Sequence, residues 1–88
     1  MNAHATFATP LSLEKLPRHA HARVATIDWT GLSLPESRRL RELGFDEGVE
    51  IEMLHRSPFG NGPIACRIGR MTVALRRAVA ASVRVLPA

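Results

Sequence analysis

Val49-Glu50-Ile51-Glu52-Met53-Leu54-His55-Arg56 alternates apolar and polar residues with a period of two. That period places Val49, Ile51 and Met53 on one face of a half-buried strand, with His55 ending the same inward face. Toward the C-terminus, Ser57-Pro58-Phe59-Gly60-Asn61-Gly62-Pro63 is dense in turn residues, and Ile64-Ala65-Cys66-Arg67-Ile68 then sets Ile64, Cys66 and Ile68 on one side. The two runs read as a hairpin with a long, stiff tip that carries Phe59. Gly69-Arg70 breaks the pattern, and Met71 to Leu75 alternates again. Arg76 to Ser82 makes a helical turn that leads into a last strand, Val83-Arg84-Val85-Leu86, before Pro87.

Toward the N-terminus the clearest local signal is Ser33-Leu34-Pro35-Glu36. Ser33 is positioned to accept from the amide three residues on, Glu36 to reach back to the Ser33 amide, and Pro35 stands where a helix has no use for its missing donor. The helix carries Leu40 and Leu43 on one side and Arg38, Arg39, Arg41 and Glu42 on the other, and Gly44 supplies the left-handed residue that ends it. Ala22 to Trp29 is rich in β-branched residues and reads as the first strand. Val24 and Ile27 have opposite parity, so a bulge is expected between them. Leu13 and Leu16, three apart, suit one helical turn closed by Pro17. Residues 1–9 read as a flexible tail, and residues 10–88 as one domain. Short strands at close spacing with one small helix argue for a mainly β fold, a small barrel of five to six strands with one short α-helix and one or two helical turns.

Composition agrees. A chain of 88 residues is too short for a second core, and the single Cys66 excludes an intrachain disulfide or a cysteine-based zinc cluster. No apolar run approaches the roughly 20 residues of a membrane span, and the N-terminus has neither a basic nor a continuous apolar segment of the secretory kind, so a cytoplasmic protein is expected. The net charge is +4, and eleven of the twelve basic residues are arginine. Arginine suits bidentate recognition of carboxylate or phosphate, so an acidic protein face, a nucleic acid and an anionic membrane surface all fit.

From Pro10 to the C-terminus the chain resembles the FeoA family, the SH3-like proteins that accompany the ferrous iron transporter FeoB. The carrying residues are Leu13 and Leu16 with Pro17, Ala22-Arg23-Val24, Arg38 to Phe45 followed by Gly48 and Val49, Pro58-Phe59-Gly60, Ala74-Leu75-Arg76-Arg77, and Val83-Arg84-Val85. The resemblance implies an SH3-like barrel and a non-enzymatic accessory protein. It implies binding to, and modulation of, the cytoplasmic G-protein region of FeoB, at the inner face of the membrane. One departure stands out. Family members commonly carry a Pro-Gly turn after the leucine pair, whereas Arg18-His19 follows Pro17 here, so that loop is expected to differ.

Candidate partner contacts are Arg38, Arg41, Leu40, Phe45, Phe59, Arg76 and Arg77, a surface of arginine and apolar residues near the helix and the hairpin tip. His19 and His21, two apart, would project to the same side of an extended segment. With Glu50 or Glu52 they are the candidate ligands for a divalent transition metal such as zinc or iron, although two histidines fall short of a tetrahedral set. No motif requires a cofactor. His4 and His55 carry no assigned role, and Cys66, between two isoleucines, reads as an inert buried thiol. No nucleophile–base constellation and no phosphate-binding glycine loop is present, so no enzymatic activity is expected. A nucleic-acid-binding barrel is the alternative that charge supports, but four aromatic residues offer few stacking platforms and no nucleic acid is expected. A regulatory module of the iron-dependent repressor type is the other alternative, and this chain lacks the DNA-binding helix pair. Two copies pairing through strand edges or a bridging metal stays open.

Overall fold

The computed structural model describes residues 9–57, 60 and 62–88. Pro58, Phe59 and Asn61 of the hairpin tip and all but Thr9 of the proposed tail lie outside the described residues. The elements in chain order are β1 (Leu11–Ser12), a 3-10 turn (Leu13–Lys15), β2 (His21–Ile27), a 3-10 turn (Trp29–Gly31), α1 (Leu34–Leu43), β3 (Glu50–Arg56), β4 (Ile64–Ile68), β5 (Met71–Leu75), α2 (Arg77–Ala80) and β6 (Val83–Pro87). The six strands form one antiparallel sheet in the order β1-β6-β2-β3-β4-β5. The small β architecture expected from the alternating runs is the one observed.

The sheet wraps a single core. Leu13, Leu16, Met53, Cys66, Val83 and Val85 are sealed from solvent, and Ile51, Ile64 and Leu40 are nearly so. Leu13, which opens the first 3-10 turn, and Leu16, which follows it, thus both belong to the core, and a helical turn is what lets two leucines three apart enter it together. Two bulges set which residues point inward. One lies between Val24 and Thr26, which lets Val24 and Ile27 both face the core despite their opposite parity. The other lies between Met53 and His55 and corrects the period-two reading of β3: His55 does not end the inward face but is exposed. Arg56 instead folds back, and its Nη1 donates to the Leu16 carbonyl at 3.3 Å.

β2 also ends earlier than the apolar composition predicts, at Ile27. Asp28 turns the chain, because its carboxylate accepts the Thr30 hydroxyl at 2.6 Å and its carbonyl accepts the Gly31 amide. Such local side-chain bonding competes with a strand ladder. Trp29 therefore sits in a 3-10 turn, half-buried against the rim of the core.

The loop expected to differ after Pro17 closes as a tight turn after all. The Ala20 amide donates to the Pro17 carbonyl at 3.0 Å, and His19 takes the left-handed conformation at φ 70°, the third position of a type II turn that usually needs glycine. The His19 amide donates to the Met53 carbonyl at 2.7 Å, and the Met53 amide donates to the Ala20 carbonyl at 3.0 Å. Two ladder-like bonds to β3 hold the strained residue in place. An L-residue there costs about 1 kcal/mol in backbone strain, so His19→Gly is expected to raise the urea unfolding midpoint. The β-branched His19→Val should lower it.

Candidate functional site

α1 owes its position to local chemistry at both ends. At its start, Ser33 accepts the Glu36 amide at 3.2 Å while Glu36 accepts the Ser33 amide at 2.9 Å, the reciprocal box that the sequence predicts. At its end, Gly44 adopts φ 94°, and the Phe45 amide donates to the Leu40 carbonyl. Leu40 and Phe45 are buried in the core and fix the helix to the barrel. The opposite face offers Arg38, Arg39 and Arg41 to solvent.

Two depressions flank this helix. On one side, a groove of about 360 Å³ runs between α1 and the corner where β5 passes into α2. Its floor is Leu40, Leu75 and Val79, and its rims carry Arg39 and Arg76. Leu34, the first residue of the helix, leaves 79% of its surface in solvent, the most exposed large apolar residue described. On the other side, the Arg41 guanidinium lies over the Trp29 ring, 4.1 Å from its centroid. This cation–π contact contributes about 0.5–1 kcal/mol at an exposed position and borders a smaller hollow with Phe45 and Asp46.

The candidate contact residues divide accordingly. Arg38, Arg41 and Arg76 lie exposed around α1. Leu40 and Phe45 are core side chains, so they shape the surface rather than supply contacts, apart from the part of Leu40 that floors the groove. Arg77 parts company with Arg76. Its Nη1 lies 3.9 Å from a Glu14 carboxylate oxygen, and its Nε and Nη2 are buried without a hydrogen-bond partner among the described residues. Trp29 and Arg39 were not among the contact candidates. Trp29 is twelve positions from Arg41, and no local period connects them.

The metal candidates do not converge. His19 occupies the turn and His21 opens β2, so the extended geometry that would align them is missing. His21 Nε2 lies 3.9 Å from a Glu52 oxygen, and the other Glu52 oxygen accepts Arg67 Nη1 at 2.9 Å. Glu50 is paired with Arg23 at 3.2 Å. Among the described residues no three His, Cys, Asp or Glu side chains group as a metal site. Cys66 is fully buried, and burial pushes its thiol up to about 11, which leaves it protonated and unreactive at neutral pH.

The FeoA domain family matches residues 11–87. The chain belongs to the FeoA family. Its members are accessory domains of ferrous iron transport. A zinc complex of FeoA from Stenotrophomonas maltophilia is 36% identical, with 89% of each chain covered and a TM-score of 0.70; it is described as a prokaryotic SH3 domain protein and proposed as a ferrous iron transport activating factor. Iron(II) transport protein A from Clostridium thermocellum is 30% identical with a TM-score of 0.76, over 88% of this chain and 45% of the other. A manganese-dependent transcriptional repressor shares the fold at a TM-score of 0.79 and 20% identity, over 94% of this chain and 39% of its own. No curated protein sequence matches the chain significantly. The fold of this FeoA is thus the SH3-like barrel. Among the described residues no donor set for a zinc ion is assembled: His21 and Glu52 supply two donors, one oxygen of Glu52 is already engaged by Arg67, and a tetrahedral site needs more.

The helix start has a testable electrostatic signature. Bonds from the Ser33 amide and hydroxyl, with Arg76 nearby, hold the Glu36 carboxyl below its usual range. A lowered folded-state value means that this stabilisation is present above the ordinary glutamate range and is lost as pH falls through the folded value. The difference in melting temperature between the wild type and Glu36→Gln should therefore be largest near neutral pH and shrink below about pH 4, as followed by circular dichroism.

Proposed function

We propose that this FeoA binds the cytoplasmic GTP-binding region of a FeoB-type transporter and modulates ferrous iron uptake without chemistry of its own. The observation that carries this reading is the concentration of Arg38, Arg39, Arg41 and Arg76 around one exposed helix and an apolar groove, in a chain of the FeoA family. Arginine clusters beside an apolar cleft suit a protein face with carboxylates, since the cleft supplies buried area and the guanidinium groups supply register. Such a partner brings the protein to the cytoplasmic face of the membrane. Among the described residues, no helix is long and apolar enough to cross the membrane itself.

Calorimetric titration against the purified cytoplasmic domain of the cognate transporter, at two salt concentrations, tests this. Saturable binding is expected, weaker at the higher salt. Arg38→Ala and Arg41→Ala should each lower the affinity about fivefold, as for contacts of roughly 1 kcal/mol. A duplex and a single-stranded oligonucleotide serve as controls, and binding to these alone would move the protein to the nucleic-acid class.

A further inference from the structure

Among the described residues β5 is an end strand of the sheet and is hydrogen-bonded on one side only. Its register with β4 pairs Ile68 with Met71, Cys66 with Val73 and Ile64 with Leu75. The backbone groups of Met53 are used toward His19 and Ala20, so the facing residue, Cys66, turns its own groups toward β5. By the alternation of antiparallel ladders, Val73 bonds to Cys66, whereas the amides and carbonyls of Thr72 and Ala74 point away from the sheet. No hydrogen bond among the described residues reaches these groups, and both residues are exposed. Met71-Thr72-Val73-Ala74-Leu75 contains no proline and no charge, the devices that usually blunt an edge.

This free edge is not isolated. Ala74 and Leu75 also form one wall of the groove beside α1, so a chain added along β5 runs into that groove, over Leu40 and Val79. Positive charge surrounds the track: Arg70 precedes β5, Arg76 follows it, and Arg39 faces it from α1. The acid on the groove wall, Glu36, is committed to the Ser33 amide. A second copy of this chain fits poorly, because antiparallel pairing of two β5 edges through Thr72 and Ala74 would set Arg70 of one copy against Arg76 of the other at both ends, and like charges placed opposite destabilise a sheet.

We propose that β5 is a docking edge for an extended segment of a partner protein, added as a further strand, with apolar residues directed into the α1 groove and acidic residues meeting Arg39, Arg70 and Arg76. Such strand addition takes affinity from the main chain and selectivity from alternate side chains. The inference goes beyond the transporter reading, since it names the chemistry of the segment rather than its owner, and its test contains no transporter.

The probe is an acetylated and amidated peptide of alternating aspartate and valine, with a control in which lysine replaces every aspartate. Amide exchange of the labelled protein is followed by NMR with and without peptide. The acidic peptide is expected to bind saturably and slow exchange at Thr72 and Ala74, whereas the lysine peptide is not. Arg76→Glu should weaken binding about tenfold, and Thr72→Pro should abolish it while keeping the amide spectrum of a folded domain, because that residue donates no bond to β4. Slowed exchange in the wild type stands as a readout even where the proline variant fails to fold. Absence of saturable binding, binding without slowed exchange at these two amides, or equal binding of the lysine peptide would each overturn the proposal. Slowed exchange on raising the protein concentration alone would overturn it in favour of self-pairing.

Discussion

One apolar core, built from the alternate inward residues of the strands together with Leu13 and Leu16, holds the surface features of this protein in place. A chain of this length with one cysteine has no staple to fall back on, so the core must be complete. That demand explains the two bulges. Each shifts the parity of a strand by one residue: the first lets Val24 and Ile27 face the same interior, and the second leaves His55 exposed after the buried Met53. It also explains the tolerance of His19 in a glycine conformation: the bonds from its neighbourhood to Met53 tie the turn to a residue at the centre of the core, and the local strain is small beside the burial it secures.

The helix is the element through which the core reaches the surface. Leu40 and Phe45 anchor it, the Ser33–Glu36 box and Gly44 set its two ends, and the arginines are what is left facing outward. Because α1 leans on the barrel through few large side chains, it leaves a hollow on each flank. One is partly covered by the stacking of Arg41 on Trp29. The other stays open along β5, where an apolar floor meets unpaired backbone groups. This SH3-like barrel has few aromatic residues, and beside α1 it leaves an apolar groove that meets the end strand of the sheet.

Across β2, β3 and β4 part of the surface charge is paired. Arg23 with Glu50, and Arg67 and His21 with Glu52, lie across neighbouring strands, and exposed pairs of this kind contribute about 1 kcal/mol or less. Among the described residues Arg38, Arg39, Arg41 and Arg76 around α1 form no ion pair, so their positive charge is left uncompensated on that face.

Much of this was determined by the sequence itself. The period-two runs around Ile51, Cys66 and Val73, the Ser33 capping box, and Gly44 at the helix end are local devices whose physics operates within a few residues, and each appears where the sequence places it. The ordered leucine, arginine and glycine motifs were likewise enough to identify the FeoA family. What only the tertiary structure decided depends on residues far apart in the chain: the exposure of His55 beyond a bulge, the stacking of Arg41 on Trp29, the separation of Arg76 from Arg77, and the groove that joins α1 to β5. Periodicity assumes an unbroken strand or helix and says nothing about which elements meet. Those outcomes follow from how one small core is filled, and that is settled only when all six strands are in place.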